Sequence, residues 1–151
     1  MTTGKSGART RVTKVPPAPA RRPGLPARDT PVASLGDAEA LAFARRIVEL
    51  AEDKKASDIV LIGVAELTTL ADYLVICSGG SERQLGAIAD GIVEALKVEG
   101  TLPIGREGLP GAHWVLLDFG AVIVHVFAPP ERDYYGLEKL WVDAPTLLRV
   151  Q

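Results

Sequence analysis

The sequence predicts an α/β domain: a single mixed sheet of four or five strands with helices packed on it. Three observations carry this. The runs Asp58-Ile59-Val60-Leu61-Ile62-Gly63-Val64 and Tyr73-Leu74-Val75-Ile76-Cys77 are apolar at consecutive positions, as in strands covered on both faces. A helix follows, with Leu85, Ile88, Ala89, Ile92, Val93 and Leu96 recurring on one face. Two further β-rich runs, His113–Phe119 and Val122–Phe127, close around Gly120 as a hairpin.

The elements follow in order. A helix near Asp37–Lys54 is announced by Ser34-x-x-Asp37 and by Leu41, Ala44, Ile47, Val48 and Ala51 at helical spacing. The first strand, a connector over Glu66–Ala71 and the second strand come next. Gly79-Gly80-Ser81 turns the chain into the long helix. There Ser81-x-x-Gln84 is a capping box and Gly100 a C-terminal cap. Pro103–Gly111 reads as a Gly/Pro-rich loop before the hairpin. Pro129-Pro130 ends the last strand, and Tyr134, Leu137 and Trp141 give one short amphipathic helix, with Pro145 beyond. The long helix reads as a crossover, so the second and third strands are expected to run parallel.

Charge divides the chain. Residues 1–36 hold seven Lys/Arg and one acid, a charge of +6, and six of the eleven prolines. Residues 37–151 hold ten Lys/Arg and eighteen acids, a charge of −8. The chain therefore reads as a disordered, basic, Pro-rich tail (1–36) and an acidic folded body (37–151). The tail is either a solvated extension or a contact for RNA phosphates. A single cysteine, Cys77, excludes an internal disulfide. No apolar run is long enough to span a bilayer, and the tail has no apolar signal region. Its prolines argue against an amphipathic transit helix, so a cytoplasmic location is expected.

Searches for chemistry give no complete constellation. Gly79-Gly80-Ser81 could present N–H groups to an anion, like the Gly-Ser turn of nucleotidyltransferases. The paired carboxylates that would hold Mg²⁺ in such an enzyme are missing. His113, His125, Cys77 and Asp118 match no zinc spacing, so no metal or cofactor is expected. His125 reads as a core histidine hydrogen-bonded to a Tyr or carboxylate, and Cys77 as an inert buried thiol. Trp114, heading a strand after a Gly-rich loop, is either a core residue or a protein-contact anchor. The run Arg132-x-x-Tyr135-x-Leu137-Glu138-x-Leu140-Trp141 mixes aromatics and charges, as a docking surface would.

These residues carry a resemblance. Asp72–Ile76 with Gly79–Gln84, Trp114–Asp118, Val122–Phe127 and Arg132–Trp141 are similar to the motifs of the ribosomal silencing factors, the Iojap-related family. The similarity spans roughly Ala38 to Asp143 and leaves the tail out. It implies a fold related to nucleotidyltransferases without their catalytic residues, hence no enzyme. It implies a translational repressor that binds the large ribosomal subunit through ribosomal protein L-fourteen and sterically blocks joining of the small subunit. An assembly factor for the large subunit and a residual nucleotidyltransferase are the alternatives, and a homodimer is compatible with the family. Carried over, Trp114 is the interface anchor. Asp118, Arg132, Tyr135, Leu137 and Glu138 belong to the partner-binding motif. The chain departs from the family at Gly120-Ala121, where Gly-Asp is usual.

Overall fold

In the computed structural model, described over residues 37–151, the two central strands are buried at every position. These are β2 (Tyr73–Ser78) and β5 (Val122–Phe127), paired in parallel from Tyr73↔Val122 to Ser78↔Phe127. Around them a six-stranded sheet is ordered β3-β4-β5-β2-β1-β6, with β1 Ser57–Gly63, β3 Gly105–Leu109, β4 Trp114–Asp118 and β6 Thr146–Val150. Every other pairing is antiparallel.

Two expectations need correction. The sheet has six strands, not four or five. Its added strands are the edges β3 and β6, whose residues are mostly exposed. The parallel partner of the second strand is β5, not the strand opened by Trp114. The crossover helix delivers the chain to β3, inside the segment read as a loop. The antiparallel meander β3-β4-β5 then gives β3 and β5 the direction of β2 and reverses β4. The crossover does lead to a strand that runs parallel to β2, but one that carries no β-like sequence.

Helices α1 (Asp37–Asp53) and α2 (Glu82–Val98) cover one sheet face. Ile47, Ala51, Leu85, Ile88 and Ile92 meet Val75, Leu117, Val124 and Val126 in that core. The Ser34 cap proposed for α1 lies outside the described residues. At α2 the capping box forms, with a shift. Ser81 Oγ accepts from Gln84 N–H at 3.1 Å, while Gln84 Oε1 accepts from Gly80 N–H at 2.6 Å rather than from the Ser81 amide. The other end is a Schellman cap: Thr101 N–H donates to Leu96 O and Gly100 N–H to Lys97 O, with Gly100 at φ 97°.

The opposite face buries Val60, Ile62, Leu74, Ile76, Leu116, Ile123 and Phe127. The single helix expected to cover it is two: α3 (Pro129–Tyr135) and α4 (Leu137–Leu140). Gly136 at φ 59° breaks them, donating its N–H to Arg132 O, and Pro129-Pro130 start α3 rather than merely ending the strand.

Gly108, at φ 80° on β3, faces the Trp114 backbone so closely that a Cβ there would collide with its carbonyl oxygen and ring. Gly108→Ala is expected to destabilise the domain by ~1–3 kcal/mol and to lower the thermal midpoint by several degrees. Hydrogen exchange should speed up at the β3 and β4 amides before it does in β2; unchanged exchange at β3 would contradict this.

Candidate partner-docking face

The α3–α4 face is where the sequence-predicted residues meet. Trp114 opens β4 opposite Phe127 on one side and Leu109 of β3 on the other. Phe127 stacks on Tyr135 with centroids 5.8 Å apart, and Tyr135 meets Tyr134 edge-on at 5.2 Å. A continuous row Leu109–Trp114–Phe127–Tyr135–Tyr134 therefore runs across the sheet end. Its two extremities stand in solvent: Leu109 is 69% exposed and Tyr134 80%. Trp114, Tyr135 and Trp141 are half-buried against the core beneath, and Leu140 and Val142, beside Trp141, are exposed.

Arg132 fixes this cover to the sheet. Its Nε and Nη2 donate to the two Glu138 oxygens at 2.8 and 3.1 Å. Its Nη1 donates to Ser78 Oγ at 2.8 Å and to Asp58 O at 2.7 Å. One side chain, only 10% exposed, thus ties α3 to α4 and to the adjoining ends of β1 and β2. The Arg132 hydrogen bonds hold the Glu138 carboxyl below the usual range, against a smaller opposing effect of burial. The forked geometry requires guanidinium; lysine offers no second parallel donor.

The six residues expected to bind a partner divide by burial. Leu137 is 4% exposed and sits in the core, and Asp118 is 8% exposed and accepts from Gly120 N–H at 2.8 Å across the hairpin turn. Both hold the fold in this structure. Arg132 and Glu138 form the latch. Trp114 and Tyr135 present aromatic surface. At the departure from the family pattern, Ala121 is buried and its carbonyl accepts from Asp72 and Tyr73 N–H, which stitches the turn to β2. The sequence reading missed Leu109 and Tyr134. Leu109 lay in a supposed loop, and Tyr134 was placed only as a helix-pattern residue.

Other candidates resolve against chemistry. At the glycine turn, Gly79 N–H donates to Phe127 O and Gly80 N–H to Gln84, so those donors already have partners. No group of His, Cys, Asp or Glu that could hold a metal occurs among the described residues. Among those residues, no helix is long and apolar enough to cross a membrane. Cys77 is wholly buried and its thiol is pushed up to about 12 by burial, which makes it inert. His125 is buried as expected, but its ring nitrogens have no hydrogen-bond partner among the described residues. It lies instead parallel to Phe127 at 5.7 Å, and burial lowers its pKa to about 3.

Comparison with known proteins decides the family. The model for "Ribosomal silencing factor during starvation", RsfS, matches residues 37–151, the whole described body. The chain belongs to the RsfS family. It is 46% identical over 94 residues to the Ribosomal silencing factor RsfS of Bacillus subtilis, covering 62% of this chain and 80% of that one. It is 36% identical over 98 residues to mouse "Mitochondrial assembly of ribosomal large subunit protein 1", covering 63% of this chain and 43% of that protein. A crystal structure of a Chromobacterium violaceum protein superposes with a TM-score of 0.65 at 37% identity, covering 68% of this chain and 85% of that one. As an RsfS member, the protein is a ribosome-associated factor in translation regulation, and the mixed α/β sheet is the architecture of its family.

One titration on this face is testable. His113, immediately before Trp114, places Nδ1 3.2 Å from Glu131 and Nε2 3.5 Å from Glu82. The hydrogen bond to Glu131 is the largest cause raising its pKa above the ordinary 6.5. A raised folded value means that this link between α2, α3 and the Trp114 strand is fully present below 6.5 and is lost as pH rises through the folded value. In an NMR titration the His113 ring should change charge above 6.5, and Glu131→Gln should bring it back toward that value. The His125 ring, at about 3, should show no step across the same range.

Proposed function

We propose that this RsfS-family chain is a translational repressor, acting in the cytoplasm, that docks on the large ribosomal subunit through ribosomal protein L-fourteen and blocks joining of the small subunit by occupying its place. The observation that carries the reading is the aromatic surface offered by Trp114, Tyr135 and Tyr134 around the buried Phe127, set in a body of charge −8. Partly exposed Trp and Tyr beside small apolar neighbours are the usual energetic centre of a protein contact. The acidic body repels RNA and is drawn to a basic ribosomal protein. Within the proposal, the +6 tail supplies any contact with ribosomal RNA phosphates.

The reading needs no catalytic group, so the chain acts by occupancy and not as an enzyme. The kinship with nucleotidyltransferase folds belongs to the same proposal and rests on the family resemblance together with the strand–Gly-Gly-Ser–helix turn. A second reading, assembly of the large subunit, is supported by the name of the mouse relative. Accumulation of precursor large subunits in a deletion strain would favour it.

Trp114→Ala is expected to weaken co-sedimentation with purified large subunits by tenfold or more, about 1.4 kcal/mol or greater. The wild-type protein in micromolar excess should slow the joining of isolated subunits followed by light scattering, and Trp114→Ala should not. Joining unaffected by the wild type would overturn the repressor reading. Sedimentation of the free protein in the same series reports whether the homodimer compatible with the family forms.

A further inference from the structure

On the helix face, away from the aromatic row, α1 and α2 leave an apolar groove with an acidic lining. Leu50 near the end of α1 and Gly91, Ala95 and Val98 along α2 line it, and Val98 is 86% exposed. The Lys54 stem crosses the groove over Gly91, where the absence of a side chain gives it room: a Cβ there would stand within 3.0 Å of three Lys54 side-chain carbons. Asp53, Asp90 and Glu94 line the same depression, against the single cation Lys54. Arg106 reaches Asp90 at 2.9 Å, whereas Asp53 and Glu94 have no ion-pair partner among the described residues.

We infer that this groove, in the free protein, seats the chain's own basic, proline-rich N-terminal segment, with Val15-Pro16-Pro17-Ala18-Pro19 on the apolar lining and Arg21-Arg22 against Asp53 and Glu94. Charge points to it: a segment of +6 is covalently joined to a body of −8. Reach permits it. The segment enters at Asp37, the first residue of α1, and the 17 residues of α1 rise ~25 Å at about 1.5 Å each. The stretch from Arg22 to Asp37 can extend ~45 Å at about 3.1 Å per residue, enough to bring residues 15–22 to the far end of α1. Chemistry fits it as well. Polyproline II backbone needs no hydrogen bonds from its seat, and prolines and alanines suit the accessible apolar lining of Ala95 and Val98 beside the Lys54 stem. RNA is refused by the sign of the groove. A basic segment from another protein must compete with one tethered at an effective concentration on the order of millimolar. Seated there, the segment covers acidic helix surface and leaves the Trp114 face as the open route for a basic partner.

The inference does not depend on the ribosomal reading, because its test uses the free full-length chain. A nitroxide is attached at Ala20→Cys; the buried Cys77 stays unlabelled. Amide signals of Leu50, Gly91, Ala95 and Val98 are expected to lose most of their intensity at low salt. They should recover as salt approaches ~0.5 M, where the Debye length falls below about 5 Å. Asp53→Lys with Glu94→Lys should abolish the loss, and so should Arg21→Ser with Arg22→Ser, which leaves the groove untouched. Loss centred on the aromatic row, spread evenly over the body, or persisting in both variants overturns the inference. So does equal loss in a mixture of labelled and isotope-enriched chains, because the occupant would then be a second copy's segment.

Discussion

The parallel pairing of β2 with β5 is the constraint from which the rest of the molecule follows. A parallel pair cannot be closed by a tight turn, so the chain must leave the sheet and return, and α2 is that departure. Both strands lie in the middle of the sheet and are buried on both faces. Two apolar faces need two covers. The long helices α1 and α2 supply one completely. The other receives only the short helices α3 and α4, and aromatic side chains from the strands and loops complete the burial. Trp114, Tyr135 and Trp141 are therefore half-buried for a geometric reason: they are the outer layer of a face with too little helix to cover it. The surface offered to a partner is a consequence of the core.

Short helices make a weak cover unless something holds them, because four to seven residues of helix have little stability of their own. Arg132 provides the hold. It collects acceptors from α4, from the end of β2 and from the start of β1, three segments far apart in sequence. It is nearly buried, and each of its three nitrogens donates to an oxygen, which offsets the cost of taking a charge out of water. Removing Glu138 alone would leave that charge partly unpaired, so the two residues are best regarded as one unit. His113 adds a smaller brace at the other end of the row, joining α2 and α3 where the Trp114 strand begins.

Much of this was legible in the sequence, and the illegible parts share a cause. The two buried strands, the capped helix α2 and the hairpin at Gly120 each carry a strong local signal: consecutive apolar residues, a capping box with helical periodicity, β-rich runs around a glycine. The edges β3 and β6 carry none. Gly105-Arg106-Glu107-Gly108-Leu109 is polar and glycine-rich, and it is a strand only because β4 offers it an open edge. Thr146–Val150 is likewise five residues of mostly exposed edge against β1. Missing β3 also inverted the expected direction of β4, since one uncounted antiparallel strand reverses every strand after it. Within the site, residue types picked out the right segment but not the division of labour. Asp118 and Leu137 look like surface motif residues in sequence, and only burial shows that they hold the fold.

The two faces separate two kinds of attraction that a net charge of −2 conceals. The helix face carries exposed acids around small residues, a surface suited to long-range, salt-screened attraction and poor in the large apolar side chains that give a contact strength. The sheet face carries the aromatics, suited to short-range burial and little affected by salt. Uncovered, the helix face would collect basic proteins indiscriminately, because surface charge is generous with partners and poor at choosing among them. With a basic segment of the same chain laid over it, the affinity of the body for basic surfaces is reduced where it is least selective. Recognition is then left to the aromatic row, where shape and burial discriminate. On this argument the opposed charges of tail and body are a specificity device, and their near-cancellation is its trace in the composition.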